Sequence, residues 1–302
     1  MAGDLVKFDF VLLHPMSKNR QEENTEWTET IRPRSSMLDL NLKELWAYRD
    51  LVRMYVKRDI VTFYKQTILG PLWFIIQPVL TTIMFIVVFG NFAGISTDGI
   101  PGALFYFAGL LIWNYFADCL TRNSKIFIEN QAVFGKVYFP RLVVPLSITI
   151  ANLVRFFIQL VIFIIIWLWF WFTEANVSMN AYALLFPLLI IMVAGLSLGF
   201  GIIFSSLTTK YRDLTFLLQF GVQLWMYMTP VIYPLNSIEA DKQWMVQLNP
   251  LTSIVETFKY GTIGSGVFSW GWLAYSFGFM VVMLFLGIIV FNRVEKTFMD
   301  TV

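Results

Sequence analysis

Residues 71–92 read PLWFIIQPVLTTIMFIVVFGNF, twenty-two positions without one charged side chain. A helix needs about 20 apolar residues to cross the roughly 30 Å hydrocarbon core of a bilayer, so this stretch is long enough to span. Eleven lysines and arginines lie in the seventy residues before it. Basic flanks stay on the cytoplasmic side, which puts the N-terminus inside. The composition agrees: 57% hydrophobic, 18% aromatic and only 14% charged, far from an ordinary soluble domain. The net charge of +2 says little as a sum, because the signal is in its distribution.

Working outward, six spanning segments are expected: Leu72–Phe92, Ala103–Leu120, Leu142–Phe172, Ala181–Leu207, Leu214–Ile232 and Trp272–Phe291. The third and fourth are long enough to tilt or to project beyond the bilayer. An even number returns the C-terminus to the face of the N-terminus. The basic residues fit this alternation: 4 in the 121–142 loop, 2 in 208–213 and 2 in the tail, so that 19 of 22 fall inside. The opposite loops hold only Lys242 and Lys259, and Arg155 lies within a span. The first apolar patch, Leu5–Leu13, is broken by Lys7 and Asp9 and does not read as a cleavable signal. A single cysteine, Cys119, excludes an internal disulfide.

The fold class is therefore an all-α integral membrane protein. It has six transmembrane helices, an N-terminal amphipathic interface helix and short re-entrant or gate helices before the last span. Residues 1–40 read as a cytosolic extension, 41–70 as the interface helix and its lead-in, 71–292 as the transmembrane domain and 293–302 as a cytosolic tail. In 41–65, Leu42, Leu45, Trp46, Leu51, Val52, Tyr55, Val56 and Ile60 form an apolar stripe of helical period. Lys43, Arg49, Arg53, Lys57 and Arg58 lie mostly off it, the pattern of a helix on the inner leaflet. Asn41 is placed to cap that helix, with Glu44 three residues on. The external segment 233–271 offers two short helices, around Ser237–Gln247 and Pro250–Ile263, neither long enough to cross.

No catalytic set emerges. The one histidine, His14, sits in the polar extension, and no metal-ligand spacing or Ser/His/Asp arrangement is visible. Gly135-Lys136 lacks the earlier glycine and following hydroxyl of a phosphate-binding loop. The chain thus has no catalytic residues and no metal ligands, and energy from ATP would have to come through a partner.

What remains is the lining of the spans. Trp73, Gln77 and Thr81 recur every fourth residue in the first span, with Phe85 continuing the row. In the fifth, Gln219, Gln223 and Tyr227 do the same, with Trp225 nearby. Amides beside aromatic rings suit a sugar, whose C–H face stacks while its hydroxyls hydrogen-bond. The same residues also serve as glue between helices in lipid. Arg155 in the third span is costly there and needs a partner. Asp118 lies at compatible depth, and Arg122 competes for it at i+4. The loop Arg122–Arg141 mixes apolar and charged residues, as an interfacial helix or a docking surface would. Gly195 and Gly199 form a GxxxG pair, a weak sign of close helix packing.

Four stretches together resemble the ABC-2 type permeases that export polysaccharide and polyol-phosphate chains. They are ELWAYRDLVRMYVKRDIVTFYKQTILGPLWFIIQPVL, FGKVYFPRLVVPLSITIANLVRFFIQL, KYRDLTFLLQFGVQLWMYMTPVIYP and QLNPLTSIVETFKYGTIG, in family order over about residues 42–292. The resemblance implies a homodimer in the bacterial cytoplasmic (inner) membrane, both termini cytoplasmic, with one cytosolic ABC ATPase subunit beneath each copy. It implies a cargo of lipid-linked polysaccharide of O-antigen, capsule or teichoic acid type on undecaprenyl diphosphate, surrounded by membrane lipids and without nucleic acid. ATP and magnesium would sit on the partner, leaving no cofactor for this chain. The first and fifth spans then resemble the conduit pair, and the 126–141 loop the coupling element, with Phe127, Phe134, Tyr138 and Arg141 as its contacts. Trp244, Asn249, Pro250, Phe258 and Tyr260 fall in the segment resembling the outer gate. A permease for a drug or free lipid is the nearest rival. A membrane-embedded glycosyl- or acyltransferase would need clustered acid/base residues, and Asp118, Glu129 and Glu256 are scattered. An ion-coupled flippase would need more charge within its spans.

Overall fold

The computed structural model of the protein describes residues 42–65, 68–137, 139–173 and 177–301. The expectations for residues 1–41, including the cap at Asn41, and for Tyr138 lie outside them. Among the described residues there is no strand, and five helices are long and apolar enough to cross a membrane. They cover Gly70–Phe92, Gly102–Asn123, Val143–Thr173, Ala181–Lys210 and Trp270–Val294.

The chain enters through α1 (Leu42–Ala47) and α2 (Arg49–Lys65). Val52, Tyr55 and Asp59 bury one narrow face of α2, while Trp46 points outward at 73% exposure. Tyr55 sets its ring 6.1 Å from Phe139 and shares a core with Val143, Val144 and Ile148. Protein therefore covers part of the stripe that the sequence assigns to lipid. A 3-10 turn at Gly70–Leu72 leads into α3 (Trp73–Phe85), which continues as a wider π-type coil over Ile86–Phe92. Pro78 within α3 lacks an amide to donate, and the hydroxyls of Thr81 and Thr82 bond back to the carbonyls of Gln77 (2.9 Å) and Pro78 (2.8 Å).

Helix α4 (Gly102–Asn123) is the axis of the bundle. It packs against α3, α7 (Val143–Thr173), α8 (Phe186–Lys210) and the short helix α11 (Pro250–Ile263). It is also the least apolar of the five spans and the most enclosed. That inversion follows from the solvent: surfaces that meet lipid must be apolar, whereas a helix surrounded by protein can carry polar groups. Helices α8 and α12 (Trp270–Thr301) approach closely through glycine. A Cβ on Gly199 would lie 2.9 Å from the backbone nitrogen of Leu284, and one on Gly287 2.9 Å from the Gly199 carbonyl. The Gly195/Gly199 pair is thus used within the chain.

The expected fifth span differs most. Helix α9 covers only Leu214–Tyr227, 14 residues or about 21 Å at 1.5 Å each, too short to cross alone. It stops because Pro230 has no amide and disfavours helical geometry at Thr229. The apolar residues that follow, Val231 and Ile232, are buried in the bundle. Val231 lies so close to Gly109 of α4 that a Cβ there would sit 3.0 Å from its backbone.

In the 233–271 segment the expected helix at 237–247 is confined to α10 (Gln243–Gln247). Helix α11 begins at Pro250, where the Asn249 side chain accepts from the Leu251 amide (3.1 Å), and ends at Gly264 with φ +74°. Every α11 residue except Tyr260 is buried. It is an internal element, which is how a helix too short to span is accommodated at membrane depth.

Candidate functional site

Helices α3 and α9 both pack on α4. Trp73 (47% exposed) and Gln77 face outward on α3, with Thr81 partly covered. Gln219, Gln223 and Tyr227 do so on α9. Two expected members of these rows turn inward. Phe85 is buried, edge-on to Phe89 (5.2 Å) and Tyr106 (6.0 Å). A row at every fourth residue drifts about 40° per step, since four residues exceed one 3.6-residue turn, so its fourth member has rotated toward α4. Trp225 is wedged 5.1 Å from both Phe116 and Phe200, and its Nε1 donates to Asn249 Oδ1 at 3.1 Å. It holds α9 in place and does not line the outer face.

Near the Asn123 end of α4, Arg155 Nη1 donates to Asp118 Oδ2 at 2.9 Å, and the guanidinium lies 4.7 Å from the Phe74 ring centroid. Arg122 instead bonds Asn152 Oδ1 (3.3 Å) and lies 3.6 Å from Asp59 Oδ2. Asp59 also receives two bonds from Arg58, at 3.0 and 2.8 Å. With Thr62, Glu129, Asn130 and Ile148 these residues border a polar pocket of about 320 Å³. The sequence reading did not single out Asp59, which stands on the buried face of α2 one turn beyond Tyr55.

The loop between α4 and α7 folds as two single turns, α5 (Ile126–Glu129) and α6 (Gln131–Phe134). Phe127 and Phe134 are buried with their rings 5.8 Å apart, and Phe127 lies 4.9 Å from Phe291. Arg141 is buried too, its guanidinium 5.3 Å from the Phe134 ring. These three shape the loop from inside and offer no direct surface. Among the described residues of the loop, the side chains that point outward are Glu129, Gln131, Ala132, Lys136 and Val137. An amphipathic pattern marks which residues share a face, and here the apolar face closes on the loop's own core.

At the opposite end, Trp244 is exposed, Pro250 is buried and Tyr260 half-buried. Phe258 is sealed between Phe163 (5.6 Å) and Phe186 (5.8 Å). Asn249 joins two elements: besides its bond from Trp225, its Nδ2 donates to Thr229 Oγ1 at 2.8 Å. Beneath them lie Glu256 and Lys259, both fully buried. Lys259 Nζ donates to the Pro230 carbonyl (2.6 Å) and sits 3.7 Å from the Phe105 ring centroid. Glu256 Oε2 accepts from the Val267 amide at 2.9 Å. Burial pushes the Glu256 carboxyl up and the Lys259 ammonium down, and each charge partly offsets the other. The signal for this pair was present as Glu-x-x-Lys within an otherwise apolar short helix.

Among the described residues no group of three or more histidine, cysteine or acidic side chains is placed to hold a metal. The arrangement is one of outward polar faces and internal ion pairs. Residues 50–263 match the ABC-2 type transporter family, well over half of the chain. The chain belongs to that family. The O-antigen export system permease protein RfbA of Klebsiella pneumoniae is 28% identical over 256 residues, covering 83% of this chain and 94% of its own. The RfbA permease of Myxococcus xanthus is 27% identical over 221 residues, 72% and 82% of the two chains. The polysialic acid transport protein KpsM of Escherichia coli is 24% identical over 248 residues, 81% and 93%. As an ABC-2 chain with five apolar helices of spanning length, this is a multi-pass membrane protein.

Proposed function

We propose that the chain is the membrane-spanning subunit of an ATP-driven exporter of lipid-linked polysaccharide, of the O-antigen or capsule class. One observation carries this reading: the match extends over 94% of an O-antigen export permease and 93% of a polysialic acid transporter. Nearly the whole of each relative therefore has its counterpart here. In this reading two copies assemble in the cytoplasmic membrane with both termini inside, each seated on a separate ATPase subunit. The cargo is a glycan on undecaprenyl diphosphate.

The chemistry of the outward faces supports a glycan path. Gln77 on α3 and Gln219, Gln223 and Tyr227 on α9 offer amides and a phenol without charge, so a long sugar chain would find many weak partners and no trap. In a dimer these faces would meet their counterparts, and Trp73 would stack on the sugar ring. At the inner end, Gln131, Ala132, Lys136 and Val137 would meet the ATPase, supported from behind by Phe127, Phe134 and Arg141. The 233–271 segment would form the outer mouth, with Trp244 exposed there.

The test is deletion of the gene in its own cell, with surface glycan and intracellular lipid-linked glycan both measured. Loss of the former with accumulation of the latter, reversed by the wild-type chain together with its ATPase, is the expected result. Unchanged surface glycan would refute the reading.

A further inference from the structure

We propose that Lys259 is a positioning residue, whose buried ammonium latches the Thr229–Pro230 end of α9 to α11 and makes that end the pivot on which α9 moves. The inference deepens the export reading, since α9 carries three of the proposed glycan contacts, and its consequence for export rests on that reading.

The geometry begins with α11, which is fixed on its far side. Asn180 donates its amide to the Gly261 carbonyl (3.0 Å) and its Nδ2 to the Tyr260 carbonyl (3.0 Å). Trp167 Nε1 donates to the Thr262 carbonyl at 2.7 Å. A Cβ on Gly261 would lie 2.7 Å from the Ala183 nitrogen, so this contact has no slack. From that anchored base α11 grips the end of α9 at two points. Asn249 holds Trp225 and Thr229, and Lys259 holds the Pro230 carbonyl.

The second grip differs in kind. A helix end leaves carbonyls without intrahelical partners, and here an ammonium donates just past the end of α9. The same ammonium lies over the Phe105 ring of α4, so one charge ties three elements. Glu256 and Asp98 supply the opposing charge, Asp98 reaching the cluster through a contact from Ser265 Oγ (3.4 Å). Separating Pro230 from Lys259 would strand an ammonium away from water, which is strongly unfavourable. Among the described residues no side-chain hydrogen bond or ion pair ties α9 to another element before Trp225. An apolar hollow of about 610 Å³ runs along α9 from Leu214 to Met228, bordered also by Phe204 and Leu207 of α8, where contacts are non-directional and can slide. A helix held by directed contacts at one end, and by apolar contact along its length, swings about the held end.

Hydrogen–deuterium exchange on the full-length protein in lipid nanodiscs tests the latch. In Glu256→Gln the ammonium loses its nearest counter-charge but keeps Asp98 and its two contacts, to the Pro230 carbonyl and the Phe105 ring. Glu256→Gln/Lys259→Met removes the latch while leaving no unpaired buried charge and nearly the same volume. Amides at 229 and 231–233 are expected to exchange at least about tenfold faster in the double variant than in the single, as loss of a charged hydrogen bond dictates. Protection in α4 and α7 should not change. Phe105→Leu, which removes the ring and keeps apolar bulk, should accelerate the same amides about threefold. Equal rates in the single and double variants would overturn the proposal. So would acceleration spread evenly over α4, α7 and α12, which would make Lys259 a folding charge. If the double variant does not accumulate, unchanged exchange at 229–233 in Phe105→Leu decides against the latch. Exchange needs no cargo, so failure here is distinct from failure of the export assay.

Discussion

At the end of the bundle built from α2, α5 and the start of α7, Asp59 is ringed by Arg58 and Arg122, which remain 49% and 31% exposed. At the end built on α11, Glu256 and Lys259 are sealed among Phe105, Pro230 and Val267. Both ends hold charge, but only one has water at hand. Ions that reach solvent exchange partners at little cost. Sealed ions do not, because each is stable only in the company it has. The Asp59 end is therefore able to rearrange, as the proposed ATPase-facing surface would need to, whereas the α11 end is the proposed fixed point.

The largest effect expected from this contrast is Lys259→Met alone. It leaves Glu256 buried without its nearest counter-charge; removing one partner of a contacting buried pair costs about 3–5 kcal/mol, and these two interact across a longer gap, so the loss should lie toward the lower end. The variant should fail to accumulate in membranes, as read by immunoblot, and Glu256→Gln/Lys259→Met should restore it. Wild-type abundance of the single variant would erase the distinction between the ends. Asp118→Asn comes next. The pair with Arg155 lies between the two regimes, 39% and 19% exposed. Loss of its charge-assisted bond should cost about 1–2 kcal/mol, discounted for the solvent at Asp118. Thermal unfolding in detergent measures it, and no change would mean that solvent already shares the pair. Asp59→Asn should cost less than about 1 kcal/mol, since asparagine still accepts from Arg58 and both arginines can turn to water. A loss as large as that for Lys259 would show the Asp59 end to be equally locked.

How much of this was legible before the structure depends on what each residue had to satisfy. The span at 71–92 could be read because lipid tolerates no interruption by charge. The enclosure of α11 could not, because Glu256 and Lys259 in NPLTSIVETFKYGTI mark a segment as surface unless one knows that they compensate each other. The length of α9 was hidden by Val231 and Ile232, which extend its apolar run but pack on α4. Phe127, Phe134 and Arg141 were expected to contact the ATPase and are instead buried within the loop's own core, because an amphipathic pattern does not say whether its apolar face meets a partner or closes on itself. The ion pair of Asp118 with Arg155 was one of two arrangements the spacing allowed, and depth alone did not choose between them.

The smallest effect on stability is expected at the residues proposed to matter most for export. Gln77 and Gln223 are exposed on α3 and α9, so alanine at either should change unfolding by no more than about 0.5 kcal/mol. Export of glycan per assembled transporter should nonetheless fall, because each substitution removes an amide from the proposed path. The two readouts together separate the alternatives that the sequence left open. Glue between helices would lower stability and leave export per complex intact, whereas a lining residue would do the reverse. Thermal unfolding and export measured on the same preparations decide it, and destabilisation by Gln223→Ala with unimpaired transport would remove α9 from the conduit.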